Sequence, residues 1–179
     1  MANDDADRGL GTESTRLITL RGNSGSGKST VAAAIRAARP AGTVAIIGQD
    51  VIRREIMGAG EDQGGHPISL TEMITRHLLD RGVDVIIEGI LNAAWYTDPL
   101  TRLAADHRGV SRSYLWKLPF EETVRRTATK PGTQPRESWE ANLRRWWRGF
   151  QPVPGLSEEF IGPAEGFDET VARVLADCW

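Results

Sequence analysis

The chain has 179 residues, room for one domain whose core buries roughly 70% of the unfolded surface. Its 22 basic and 24 acidic side chains leave a net charge of −2, with 40% hydrophobic and 26% charged residues. That composition excludes a disordered chain and argues against a dedicated nucleic-acid binder, which carries a large positive excess.

The one cysteine, Cys178, excludes an internal disulfide and a multi-cysteine metal site, and suits the reducing cytoplasm. No apolar run approaches the length of about 18 residues that a membrane helix needs, so no membrane partner is expected. Residues 1–14 are polar and acidic and are expected to form a disordered tail, leaving 15–179 as the folded unit.

In chain order, Arg16-Leu-Ile-Thr-Leu20 predicts a strand, and a Gly/Ser-rich turn follows to Gly27. Lys28 to Arg39 predicts a helix with Val31, Ala34, Ile35 and Ala38 on one face, ended by Pro40. Thr43 to Ile47 is a nearly continuous apolar run that suits a strand buried on both sides. A short helix is expected over 50–57, then a mobile Gly-rich loop over 58–67. Ser69 and Glu72 have capping-box spacing, which predicts a helix from there to about Arg81. Val83 to Glu88 is the third strand. A helical stretch follows, with Asp98-Pro99 expected to restart it as N-cap and first residue. Arg112 to Leu118 predicts the fourth strand. Helices are expected over 119–127 and 137–148, with a Pro/Gly loop at 129–136 between them. Phe160-Ile161 suits a short fifth strand, and 168–177 a closing helix on Val171, Val174 and Leu175. Strands of about five residues alternating with helices predict an α/β fold with a parallel sheet covered on both faces.

Gly22-Asn23-Ser24-Gly25-Ser26-Gly27-Lys28-Ser29-Thr30 matches G-x-x-x-x-G-K-[ST] and lies between a predicted strand and a predicted helix. The glycines let successive backbone N–H groups curl round a phosphate, and the helix beginning near Lys28 adds the positive end of its dipole. Lys28 can reach β- and γ-phosphates, and the Ser29 hydroxyl can ligate Mg²⁺. The segment therefore predicts a nucleoside triphosphate site, with ATP and Mg²⁺ as cofactors. The N-K-x-D string by which GTPases read guanine is absent.

In an open parallel sheet, ligands sit outside the carboxyl ends of the strands. Asp50, just after the second strand, is then a candidate general base for an acceptor hydroxyl. Asp is also a good N-cap, so Asp50 has a rival role at the head of the 51–57 helix. Arg53, three residues on, shares its helical face, whereas Arg54 is expected to point elsewhere. Glu88 ends an apolar strand, as a Walker B acid does, and is the candidate second metal ligand beside Ser29. Asn92 offers a weaker hydrogen bond to an acceptor.

Residues 119–148 carry Arg125, Arg126, Arg136, Arg144, Arg145 and Arg148 on two predicted helices, the composition of a lid that closes over a triphosphate. Arg125 and Arg126 are the leading candidates to clamp the transferring phosphate. Trp139, Leu143, Trp146 and Phe150 fall on one helical stripe, which would either anchor the lid or wall an acceptor pocket. His66, His77 and His107 lack metal-ligand spacing, although His66 could touch substrate from its loop.

The phosphate loop followed by Gln49-Asp50-Val-Ile-Arg53-Arg54-Glu-Ile-Met57 resembles the kinase half of polynucleotide kinases and, more widely, small bacterial P-loop kinases of the zeta-toxin and antibiotic-phosphotransferase kind. Leu118-Pro-Phe-Glu-Glu-Thr-Val-Arg125-Arg126 resembles the opening of their lid. The Arg-Arg-Trp-Trp run and the closing helix resemble actinobacterial phosphotransferases for nucleoside antibiotics of the capuramycin type. The resemblance spans 16 to about 175. It implies a P-loop kinase fold with a five-stranded parallel core and a helical lid, ATP with Mg²⁺, and a small-molecule hydroxyl acceptor. The alternatives are a 5′-hydroxyl polynucleotide kinase and a nucleotide-binding regulator that turns over slowly. The sequence carries no signal of oligomeric state.

Overall fold

The computed structural model describes residues 9–60, 65–128 and 136–179. Five strands, β1 (Arg16–Arg21), β2 (Val44–Gly48), β3 (Asp84–Gly89), β4 (Val110–Trp116) and β5 (Glu158–Ile161), form one sheet in the order β2-β3-β1-β4-β5. Every neighbouring pair is parallel. This is the five-stranded α/β architecture expected from the sequence.

The helices are α1 (Lys28–Ala37), α2 (His66–Asp80), α3 (Ala93–Asp106), α4 (Phe120–Ala128), α5 (Arg136–Trp146) and α6 (Phe167–Cys178). Successive side chains on a strand point to opposite faces, so each sheet face acquires its own core. On one face Ile18, Leu20, Ile86 and Tyr114 pack with Val31, Ile35 and Val174 from α1 and α6. On the other, Leu17, Val85 and Ile87 pack with Leu79, Leu100 and Leu103 from α2 and α3. The central strand residues Ile18, Leu20, Val85, Ile86 and Ile87 of these cores have no exposed surface.

Four local expectations change. The supposed tail is ordered from residue 9, while 1–8 lie outside the described residues. Leu10 is buried and bridges to His107, whose ring bonds Thr15 Oγ1 and Ser111 Oγ at 2.9 Å each. The capping box does not form. α2 begins three residues earlier at His66, with Pro67 in its first turn, and Ser69 Oγ donates to His66 O. Glu72 instead pairs with Arg76 and, across to α3, with Arg102. Pro99 does not restart a helix. α3 is continuous through it, capped by Asn92 Oδ1, which accepts from Ala94 N at 3.0 Å. Pro99 lies on the buried face with Tyr96, Leu100 and Leu103, and that burial offsets the hydrogen bond its missing N–H forfeits. Finally, residues 51–56 form a π-helical turn, with Met57 N donating to Ile52 O. The loop expected at 129–136 falls, up to residue 135, outside the described residues, as do 61–64 of the Gly-rich loop. Among the described residues, no helix is long and apolar enough to cross a membrane.

Candidate active site

The carboxyl ends of β1, β2 and β3 open into a cleft of about 300 Å³. Ser24, Gly25, Gly27, Lys28 and Ser29 line it from the phosphate loop, Gln49, Asp50, Arg53 and Arg54 from the end of β2, and Glu88 from the end of β3. Asn92 and Trp95 add the start of α3, and Trp139, Trp146 and Arg148 add α5 and its exit.

The loop owes its shape to glycine. Gly22, Gly25 and Gly27 hold φ of 145°, 80° and 101°, a region that L side chains rarely adopt. At Gly25 a Cβ would also lie 2.4 Å from Thr127 Oγ1 and 2.8 Å from Thr123 O, so α4 packs directly on the loop. Gly27 stands at the head of α1 without any side-chain cap, which leaves the first amides of that helix for an anion. Lys28 is not a surface lysine: it is 6% exposed and donates to Asn23 O at 2.8 Å and Ser26 Oγ at 3.0 Å. Ser29 Oγ donates to Glu88 Oε2 at 2.9 Å, so hydroxyl and Walker B-like acid meet where the loop faces β3. Thr30 is exposed and does not line the cleft.

Asp50 makes no capping hydrogen bond, which removes its rival role. Its Oδ1 accepts from Arg53 Nη2 at 2.8 Å and lies 3.5 Å from Arg54 Nε. The carboxylate itself is 65% exposed to the cleft, whereas the Arg53 side chain is only 10% exposed. Arg54 therefore faces the same cleft as Arg53, contrary to expectation, and lies 5.5 Å over the Trp146 ring. The wide π turn keeps i+3 and i+4 together beside residue i. Tyr96, which feels the Arg53 charge, has its phenol pushed up to about 12 by burial, so it stays neutral there.

Sequence reasoning missed two supports. Gln49 Oε1 accepts from Leu91 N at 2.8 Å, tying the end of β2 to the turn after β3; Leu91 is buried with φ of 43°. Leu91 O in turn accepts from Arg21, which is 1% exposed and paired with Glu158 on β5. A charged residue closing an apolar strand, just before Gly22, was the available signal.

The arginines of the lid segment separate. Arg125 has a 70% exposed side chain and pairs with Glu122. Arg126 also pairs with Glu122, and donates to Ser26 O at 3.2 Å and towards Pro163 O. Hydrogen bonds from Arg125 and then Arg126 hold the Glu122 carboxyl down to about 2. Neither arginine lines the cleft. Of the aromatic stripe, Trp139 and Trp146 wall the cleft edge to face at 5.8 Å, and Leu143 is buried. Phe150 lies beyond the helix and packs on Phe160. His66 does not line the cleft.

Solved structures share this fold. A gluconokinase from Sinorhizobium meliloti 1021 matches with a TM-score of 0.64 at 18% identity, covering 92% of each chain. The APS kinase of Mycobacterium tuberculosis, solved with AMPPNP and APS, matches with a TM-score of 0.67 at 17% identity, over 90% of this chain and 96% of its own. The tunicamycin resistance protein of Deinococcus radiodurans matches with a TM-score of 0.57 at 14% identity, over 90% and 94%. No curated protein matches the sequence. The family model AAA_33, described as an AAA domain, matches residues 17–153, from β1 through the exit of α5. The chain thus belongs to the AAA_33 family and carries the fold of the P-loop kinases.

Proposed function

We propose that this protein is an ATP-dependent O-phosphotransferase that moves the γ-phosphoryl group of ATP to a hydroxyl of a small molecule. The observation that carries this reading is the single cleft in which the phosphate loop, the Ser29–Glu88 contact and the exposed Asp50 carboxylate meet. The kinases among the structural neighbours support it, one of them solved with AMPPNP and APS.

The residues fit the nucleotide. Lys28 exchanges its bonds to Asn23 O and Ser26 Oγ for phosphate oxygens, and the amides at the head of α1 bind the same anion. Ser29 and Glu88 would hold Mg²⁺, which neutralises charge on the β- and γ-phosphates when bound. Asp50 accepts the proton of the acceptor hydroxyl as its oxygen bonds to the γ-phosphorus. The bond from that phosphorus to the bridging oxygen breaks, and ADP leaves. Arg53 and Arg54 hold the Asp50 Oδ1 in place through their positive charge.

Trp95, Trp139 and Trp146 give the acceptor side of the cleft three indole surfaces. They suit a hydroxylated compound carrying a planar ring, which stacks or packs on indole. A nucleoside antibiotic is the finer reading, in keeping with the resemblance of the lid segment and with the tunicamycin resistance protein among the neighbours. ATP consumption measured against nucleosides, aminoglycosides, sugars and nucleoside antibiotics tests it. A ring-bearing hydroxyl compound should accelerate turnover and emerge phosphorylated. Turnover that no acceptor accelerates would favour the slow regulator.

A further inference from the structure

Among the described residues, three arginines line the cleft: Arg53, Arg54 and Arg148. The first two are engaged by Asp50. Arg148 differs. Its side chain bonds only main-chain carbonyls, Arg145 O at 3.0 Å and Trp147 O at 3.3 Å, both through Nη1. Among the described residues it has no carboxylate partner.

Its place is set by the phosphate loop. Asn23, 6% exposed, accepts from Arg148 N at 2.8 Å and donates to Gly149 O at 2.7 Å. The same residue's carbonyl receives Lys28 Nζ. One amide side chain thus clamps the exit of α5 onto the loop that holds the lysine. Gly149, at φ of 65°, lets the chain turn away directly after the clamp. Arg148 lines the same cleft as Ser24, Gly25, Lys28 and Ser29.

We propose that Arg148 is the arginine that contacts the transferring phosphoryl group, and that Asn23 is its positioning residue. The proposal rests on the phosphotransferase reading and replaces Arg125 and Arg126 in that role. A guanidinium presents two parallel donors that match two phosphoryl oxygens, and charge spreads over those oxygens as the group transfers. Arg125 points to solvent, and Arg126 is held by Glu122 and the carbonyl of Ser26.

The test needs no acceptor. Binding of ADP with Mg²⁺ is measured by calorimetry with and without tetrafluoroaluminate, which mimics the phosphoryl group in flight. The wild type should bind ADP more tightly when tetrafluoroaluminate is present. Arg148→Ala should lose at least about tenfold of that gain, while its affinity for ADP alone stays within about twofold. Arg148→Lys keeps the charge without the fork and should recover only part of the gain. Arg145→Ala, on the exposed side of α5, should keep all of it. Asn23→Ala should lose the gain too, but cause no further loss in the Arg148→Ala background. Thermal unfolding checks that each variant is folded. Full gain in folded Arg148→Ala overturns the assignment, and additive losses overturn the positioning role of Asn23. A wild type that gains nothing overturns the phosphotransferase reading, and the assignment falls with it.

Discussion

At the scale of single residues, the account stands on Lys28 and Asp50. Lys28 is buried against its own loop and donates to Asn23 O and Ser26 Oγ within the phosphate motif. Lys28→Ala should lower phosphoryl transfer by at least about 100-fold, because the ammonium offsets charge developing on the γ-phosphate. Turnover near that of wild type would show that the loop does not serve a triphosphate. Asp50→Asn should cost about 10²–10⁴ in kcat with ATP affinity nearly unchanged. The Asp50 side chain makes no capping hydrogen bond, so Asn there forfeits no cap and the loss falls on the carboxylate charge and its pairs with Arg53 and Arg54. Steady-state kinetics with a saturating acceptor decides this, and transfer above about a tenth of wild type would move the base elsewhere, with Glu88 next in line. Both residues were legible in the sequence, because a motif or a strand end fixes where they sit. Arg54, Gln49 and Arg148 were not. Their places depend on a π turn, a side chain reaching across to Leu91 and a clamp between residues 23 and 148, and none of these leaves a periodic trace.

Among the elements, strands and helices fall close to their predicted positions because apolar runs and turn residues mark them. The exceptions are those where tertiary contacts outweigh local signals. Pro99 sits inside α3 because its ring is buried with Tyr96 and Leu100, and the Ser69–Glu72 pair serves a helix that already began at His66. The segment before β1 is another case. His107 is buried between Thr15 and Ser111, and that burial lowers its pKa from the usual 6.5 although Asp84 opposes the shift. The unfolded chain then takes up the proton at a higher pH than the folded one. Stability from this group is complete above 6.5 and is lost as pH falls through the depressed folded value. Tm should therefore drop more for wild type than for His107→Gln between about pH 7 and about pH 5. Equal slopes would remove His107 from the account. The helices α4 and α5 pack together through Phe120, Trp147 and Arg144, and α4 also touches the phosphate loop at Gly25. If they form the lid, their amides should exchange more slowly once Mg²⁺ and a non-hydrolysable ATP analogue are added. Unchanged exchange would leave them as fixed scaffold.

Over the whole molecule, one parallel sheet gathers β1, β2 and β3 so that the phosphate loop, Asp50 and Glu88 converge at their carboxyl ends. A gluconokinase and an APS kinase share this fold, so in the proposed reaction the acceptor is decided by what walls the remaining cleft. Among the described residues that wall holds Trp95, Trp139 and Trp146 with arginines, in a chain of net charge −2. A polynucleotide site must neutralise several phosphates and carries a basic track to do so. Indoles can nevertheless stack the bases of a single strand, which makes the choice of acceptor the point of greatest consequence. Offering a 5′-hydroxyl oligonucleotide and a nucleoside antibiotic at equal concentration, with γ-labelled ATP and Mg²⁺, measures it directly. The account predicts label on the small molecule; label mainly on the oligonucleotide, or on neither, would contradict it.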